Sequence, residues 1–306
     1  MSDRMQPLKQ RCRVCGGDSE FAGRKFGKFS SRWYELRHCA ACRFSFVADP
    51  WTDFSLIYSE DYYRGKGVDP SVDYEFELMH PDETIRVYEW AGLFRVISGL
   101  VSVDQETRWL DFGCGNGGLV RHVREQVACD IVGFEEGHIA ERAKAAGLPL
   151  ISNEQLEKSA GYFDVITAVE VLEHTVDPVE TIRTIGRLLK PGGLFFLTTG
   201  NARPFRGRLA QWSYVVPEIH ISFFEPETLA RVMKKAGLQP EFRGWLPGFE
   251  NIIRFKVLKS LGIRRRSSLA RLLSSSCPSR LVDAYFGGSK HPVGWGDASA
   301  IKPVPG

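Results

Sequence analysis

No run of apolar residues in this 306-residue chain approaches the roughly 20 needed to cross a bilayer as a helix, which argues against a transmembrane helix. The first ten residues, MSDRMQPLKQ, lack the apolar stretch of a secretory leader, so the default expectation is a cytoplasmic protein. A strong charge of one sign is also missing. The net charge is only +3, and the overall balance by itself points neither to nucleic acid nor to an acidic ligand. Cysteine is sparse beyond residue 42, where Cys114, Cys129 and Cys277 stand far apart.

Charge is present but divided. Residues 1–49 carry 10 basic and 5 acidic groups, residues 50–249 carry 20 and 29, and residues 250–306 carry 10 and 3. A mildly acidic body is flanked by two basic ends, which suit phosphates, lipid head groups, the acidic body or simply water. With 43% apolar and 25% charged residues, a chain of this length can bury one large core or two smaller ones.

Where cysteine does occur, it is paired. Cys12 and Cys15, then Cys39 and Cys42, form two C-x2-C units on either side of residues 16–38. Each unit can make a tight knuckle, and four thiolates close a tetrahedral zinc site with no position left for water or substrate. The polar segment between them is too short to build its own core, so a metal would supply the folding energy. A structural zinc ribbon over residues 1–49 is the expectation. A redox or disulfide role is the alternative, disfavoured in a reducing compartment. His38 reads as a neighbour of the site, not a ligand.

The stretch RWLDFGCGNGG, residues 108–118, organises the rest. An apolar run stops in a glycine turn, and LVRHVREQV then takes up helical spacing, which predicts a strand, a tight turn and a helix start. Glycine lets backbone pass close to a ligand, and free N–H groups at the helix start would face a polar or negative group. Gly113, Gly115 and Gly118 also fit the GxGxxG dinucleotide fingerprint. Asp111, two residues before the first glycine, decides against it: a carboxylate there suits a cationic amino group and repels a pyrophosphate.

At this point the chain resembles the class I S-adenosylmethionine (SAM) dependent methyltransferases, whose first motif reads much like LDFGCGNGG. GFEEG at 133–137, GYFDVITAVEVLEH at 161–174 and LLKPGGLFFLTT at 188–199 follow in the family's order. The resemblance implies an α/β fold, a Rossmann-like seven-stranded methyltransferase sheet over residues 106–306, beside the small N-terminal zinc ribbon. Its last strand would be antiparallel, with ASAIKPV at 298–304 as the candidate. It further implies SAM held with Gly113, Gly115 and Gly117 along its methionine part, Cys114 packed within the turn, Asp111 at the amino group and Glu135 on the ribose diol. Asn153, after the third strand, is placed to approach the adenine. Glu170 could touch cofactor or acceptor.

Two segments flank that core. Residues 50–105 begin rich in aromatics, among them Trp51, Phe54, Tyr58, Tyr62, Tyr63 and Tyr74, and read equally as a lid or as a strap holding ribbon to body. They end in helical spacing from residue 82. Residues 249–292 form a basic insertion before the last strand, either an amphipathic helix lying on the inner membrane face or one packed on the domain.

An oxygen or carbon acceptor must lose a proton, and histidine is the natural base. His174 and His220 match positions where zinc-ribbon sugar methyltransferases of bacterial polysaccharide and natural-product pathways place active-site histidines, and Tyr62 or Tyr63 a tyrosine there. The plainer reading makes them braces of their loops. The C-methylating members of that group carry a further C-terminal domain, so the expectation leans to a hydroxyl. The leading expectation is methyl transfer to a small-molecule acceptor, a sugar hydroxyl or carbon, nucleotide- or lipid-linked. The rivals are an RNA methyltransferase gripping phosphates with its basic ends, against which AVEVLEH lacks an NPPY-type sequence, and a non-catalytic zinc-dependent scaffold.

Overall fold

The computed structural model describes residues 10–51, 53, 57–68, 73–242, 245–266 and 299–303. Phe54, Cys277 and residues 267–292 of the basic insertion lie outside the described residues. No helix among those described is long and apolar enough to cross a membrane.

Strands and helices alternate from residue 108 onward: β4 (Arg108–Phe112), α4 (Gly118–Gln126), β5 (Asp130–Phe134), α5 (His138–Ala145), α6 (Asn153–Glu157), β6 (Phe163–Val169), α7 (Pro178–Leu188) and β7 (Leu189–Thr198). After them come α8 (Pro226–Lys235), β9 (Leu238–Phe242), α9 (Phe249–Ser260) and β10 (Ser299–Pro303). The main sheet runs β5-β4-β6-β7-β10-β9, with β10 inserted antiparallel between β7 and β9. The third strand expected at 148–151 is reduced to one parallel bridge, Leu150 to Gly133. It is squeezed between the Gly147 turn and the Ser152 helix cap, leaving room for two ladder bonds, Gly133 N–H to Pro149 and Ile151 N–H to Gly133.

Side chains alternate across a strand, and the two faces of this sheet are covered accordingly. Leu110, Ile166, Phe195 and Leu197 pack with Ile182 and Ile185 of α7 and Val232 of α8. Trp109, Val165, Leu194 and Phe196 pack with Leu119 and Val123 of α4 and with Leu93, Val96 and Ile97 of α3 (Arg86–Leu100). With both faces covered by the described helices, the strand ends remain, where the parallel sheet of an α/β fold receives its ligands.

The N-terminal sheet is β1 (Glu20–Gly27), β2 (Arg32–His38) and β3 (Ser45–Val47), completed by β8 (Ser222–Phe223) from the segment after β7. Helix α8 holds the cysteine knuckles from beneath: Thr228 Oγ1 donates to the Cys42 carbonyl at 2.8 Å and Lys235 Nζ to that of Val14 at 2.7 Å. Two short helices, α1 (Glu60–Tyr63) and α2 (Tyr74–Met79), lie over the strand ends. Helix α9 buries Phe255 and Leu258 against Ile85 and Tyr88, so its apolar side packs on the domain instead of facing a membrane.

Candidate active site

The chain leaves β4 through Gly113, Gly115 and Gly117, whose φ angles are 76°, 55° and 71°, and enters α4 with Gly117 as its N-cap. A Cβ on Gly113 would lie 2.6 Å from Val171 Cγ2, and one on Gly115 would lie 3.4 Å from Tyr74 Cε1. Both glycines line a slot between the loop after β6 and the tyrosines of the aromatic segment, and the absent side chain of Gly113 lets Val171 pack against the turn. Gly118 faces Trp90 of α3 so closely that any Cβ would overlap the indole.

The turn's own donors differ from expectation. Gly113 and Cys114 N–H groups donate to the Phe134 carbonyl, Gly117 N–H to that of Cys114, and Gly118 N–H to Asn116 Oδ1. Gly115 N–H donates to Glu135 Oε2 at 2.8 Å, while Glu136 N–H donates to Glu135 Oε1 at 2.9 Å. What the turn offers a ligand is an oriented carboxylate and a bare backbone wall, not a ring of free donors. Burial raises the Glu135 pKa, partly offset by those two amides.

Asp111 sits behind the slot. The residue is 5% exposed; its carboxylate accepts a hydrogen bond from Thr167 Oγ1 at 2.7 Å, and burial pushes its pKa up to about 7. Gly117 and Cys114 are likewise set back: the missing side chain of Gly117 faces Leu148, and the Cys114 thiol lies under Gly133. Asn153 is exposed at the start of α6, with Nδ2 donating to Glu136 Oε1 at 2.7 Å, outside the cavity wall.

The cavity itself, of about 1140 Å³, runs from Gly113, Gly115 and Glu135 past Tyr63 and Tyr74 to His174 and His220. It therefore joins the glycine turn to both histidines. His220 stacks on Tyr214 with ring centres 4.3 Å apart, and lies 4.9 Å from the ring of His174. Its Nδ1 is 2.6 Å from the Tyr214 carbonyl oxygen. His174 Nδ1 meets the hydroxyl of Tyr58 at 3.1 Å, and burial, then the neighbouring His220, lowers the His174 pKa to about 4. Tyr62 and Tyr63 are buried with Ile139 and line the cavity; within the aromatic segment the hydrogen bond to a histidine comes from Tyr58, on which the Tyr62 ring packs at 5.0 Å.

Behind the histidines lies a polar knot. The Tyr214 hydroxyl is 2.5 Å from Glu173 Oε1 and 3.0 Å from Glu170 Oε2, and Thr199 Oγ1 donates to Glu173 Oε2 at 2.7 Å. Glu173 is fully buried and its pKa is raised, first by that burial and then by Glu170. Glu170 has φ +54°, a costly conformation for a residue with a side chain, held by Glu170 N–H donating to the Thr198 carbonyl. Burial alone would raise its pKa, but Lys256 of α9, 3.6 Å away, brings it below the usual carboxylate value.

Residues 83–241, just over half of the chain, match the methyltransferase domain family. The chain belongs to that family. It is a SAM-dependent methyltransferase. It is 28% identical over 185 residues to the ubiquinone biosynthesis O-methyltransferase of Thiobacillus denitrificans, covering 55% of this chain and 76% of the relative. It is 30% identical over 184 residues to that of Dechloromonas aromatica, again 55% and 76%. Among solved structures, the phosphoethanolamine N-methyltransferase 2 of Haemonchus contortus in complex with SAM aligns with a TM-score of 0.47 at 17% identity, covering 85% of this chain and 62% of that one.

In this methyltransferase the sequence motifs mark the slot, whereas Tyr58, Glu173, Tyr214 and Lys256 had not been singled out for the site. Glu173 alone had a usable signal, its place three residues after Glu170 in VEVLEH. Tyr214 comes from a segment with no pattern to mark it, and Lys256 from the basic amphipathic stretch that opens the 249–292 insertion; only the fold brings them to the cavity.

The four cysteine sulfurs converge at the base of the ribbon, all within 4.8 Å of one another. Cys12 Sγ and Cys42 Sγ are 3.4 Å apart, and Cys15 Sγ and Cys39 Sγ 3.5 Å.

Proposed function

We propose that this methyltransferase moves the methyl group of SAM to a hydroxyl of a small-molecule acceptor held over His220, with sugar hydroxyls, free or nucleotide- or lipid-linked, as the first class to test. One observation carries the assignment of the base. A carbonyl can only accept, so the 2.6 Å contact to Tyr214 fixes the proton on His220 Nδ1 and leaves Nε2 as the basic nitrogen. Stacking on Tyr214 holds the ring in that orientation. The O-methyltransferase names of the relatives support oxygen over carbon.

Bound SAM supplies an activated methyl group on its sulfonium, so the protein's main task is alignment. Gly113 and Gly115 admit the cofactor against the backbone. Glu135, aimed by two amide donors, meets the ribose hydroxyls, and Asp111 places a carboxyl group behind the methionine end. Tyr63 and Tyr74 close the slot from above. His220 Nε2 takes the acceptor proton, while Tyr214, Glu173 and Glu170 brace it from behind. His174, neutral near pH 7, braces Tyr58 and the acceptor wall. We further assign Cys12, Cys15, Cys39 and Cys42 to one structural zinc. Zinc–sulfur bonds of about 2.3 Å in a tetrahedron place sulfurs roughly 3.8 Å apart, close to the spacing found.

Incubation with methyl-labelled SAM and a panel of sugar nucleotides, free sugars and catechols tests the reading. Label should reach a hydroxyl oxygen of a sugar, and His220→Ala should slow its transfer by about a hundredfold or more. Transfer by His220→Ala at the wild-type rate would remove His220 as base, and exclusive labelling of catechols would replace the sugar class.

A further inference from the structure

The tip of the ribbon hairpin, far from the glycine turn in sequence, exposes large aromatic side chains. Trp33 is 65% exposed, Phe29 46% and Phe26 42%. Phe26 and Trp33 are cross-strand partners with ring centres 5.4 Å apart, and Phe29 leans towards Trp51 at 6.3 Å. Residues 24–33 hold Arg24, Lys25, Lys28 and Arg32 and no acidic residue. Lys25 turns inward to the Ala210 carbonyl, but Arg24 and Lys28 are exposed beside the rings.

Phenylalanine has no polar group for water to satisfy, so an exposed ring gains only by entering an apolar phase. Asp49 neutralises Arg32, and Glu35 lies across from Arg24, but Lys28 sits at the turn between Phe26 and Phe29; exposed phenyl and indole rings beside such cations have the chemistry of a segment that lies at the head-group boundary of an anionic bilayer. Their place on a projecting two-stranded turn, not in a groove, suits a broad lipid surface better than a folded partner.

The tip is also tied to the acceptor end of the cavity. Phe29 N–H and Ser30 Oγ both donate to Glu218 Oε1 at 3.1 Å, two residues before His220, and Tyr34 packs with Trp212 and Ile221. We infer that the hairpin tip docks this methyltransferase on an anionic lipid surface through Phe26, Phe29, Trp33, Arg24 and Lys28, which presents the histidine end of the cavity to an acceptor carried there. The docking itself does not depend on the acceptor proposed above, and a binding assay reads it alone.

The test is flotation of the full chain with vesicles of phosphatidylcholine, with and without about 30% phosphatidylglycerol, at low and high salt. Wild type should float with the anionic vesicles and be released by salt. Phe29→Ser/Trp33→Ser should reduce the bound fraction about tenfold or more, and Lys28→Glu should weaken it too, both with unchanged affinity for S-adenosylhomocysteine. If the double variant does not fold, Lys28→Glu at its exposed turn position reads the same contact. No flotation, equal flotation of the variants, tighter binding to a single-stranded RNA oligonucleotide at the same salt, or a lipid-free dimer abolished by the same substitutions would each overturn the proposal.

Discussion

His174 and His220 stand side by side yet differ in what they can do. Burial holds His174 at about 4, so it carries no charge at pH 7, while the Tyr214 carbonyl fixes the tautomer of His220. His220→Ala should therefore lower kcat by roughly 10²- to 10⁴-fold, the usual worth of a general base, with little change in S-adenosylhomocysteine affinity. Steady-state kinetics beside calorimetry would separate the two, and an equal loss of binding would recast His220 as structural. His174 makes a different prediction. Its folded pKa lies below the 6.5 of the free side chain, so the unfolded chain binds the proton first. Stability from this group is complete above about 6.5 and is lost as pH falls towards about 4. Thermal melting of His174→Gln across that window should show a shallower acid dependence than wild type; an identical slope would mean that His174 does not titrate as described.

At the scale of elements, the strand, turn and helix around Gly113 are what make the slot. Gly118→Ala forces a Cβ into Trp90 and should cost about 1–3 kcal/mol by overpacking, seen as a lower melting temperature. Little change would mean that α3 can slide away from the turn. This turn was readable because a glycine cluster after an apolar run has few other uses. The strand ends were readable for the same reason, and within ASAIKPV Ser299–Pro303 forms β10 between β7 and β9. The third strand was overread: Leu148 to Ile151 has the composition of a strand, but the neighbouring turn and helix cap leave it one bridge. The turn's hydrogen bonds were not readable, since whether Gly115 N–H meets a ligand or Glu135 depends on the distance between two strand ends. Tyr58 was visible as one aromatic among many, and nothing in its spacing set it apart from Tyr62 and Tyr63.

Across the whole molecule, the ribbon and the catalytic body share structure. β8 completes the ribbon sheet only two residues after His220, and α8 holds the backbone carbonyls of Cys42 and Val14. Stripping bound zinc with a strong chelator, or making Cys39→Ser, should therefore lower turnover before it lowers cofactor binding, because β8 leads directly from His220 into the ribbon sheet. Elemental analysis of the untreated protein should give one zinc per chain; its absence from active, freshly reduced protein would dismiss the metal from the account.

The central claim is that the slot beside Gly113 and Gly115 receives the adenosyl cofactor with Glu135 on its ribose. Calorimetric titration with S-adenosylhomocysteine tests this on wild type and Glu135→Ala, with melting curves to confirm that both are folded. Losing charge-assisted hydrogen bonds worth about 1.5–3 kcal/mol each should weaken binding at least tenfold. Undiminished affinity in a folded Glu135→Ala protein would contradict the assignment.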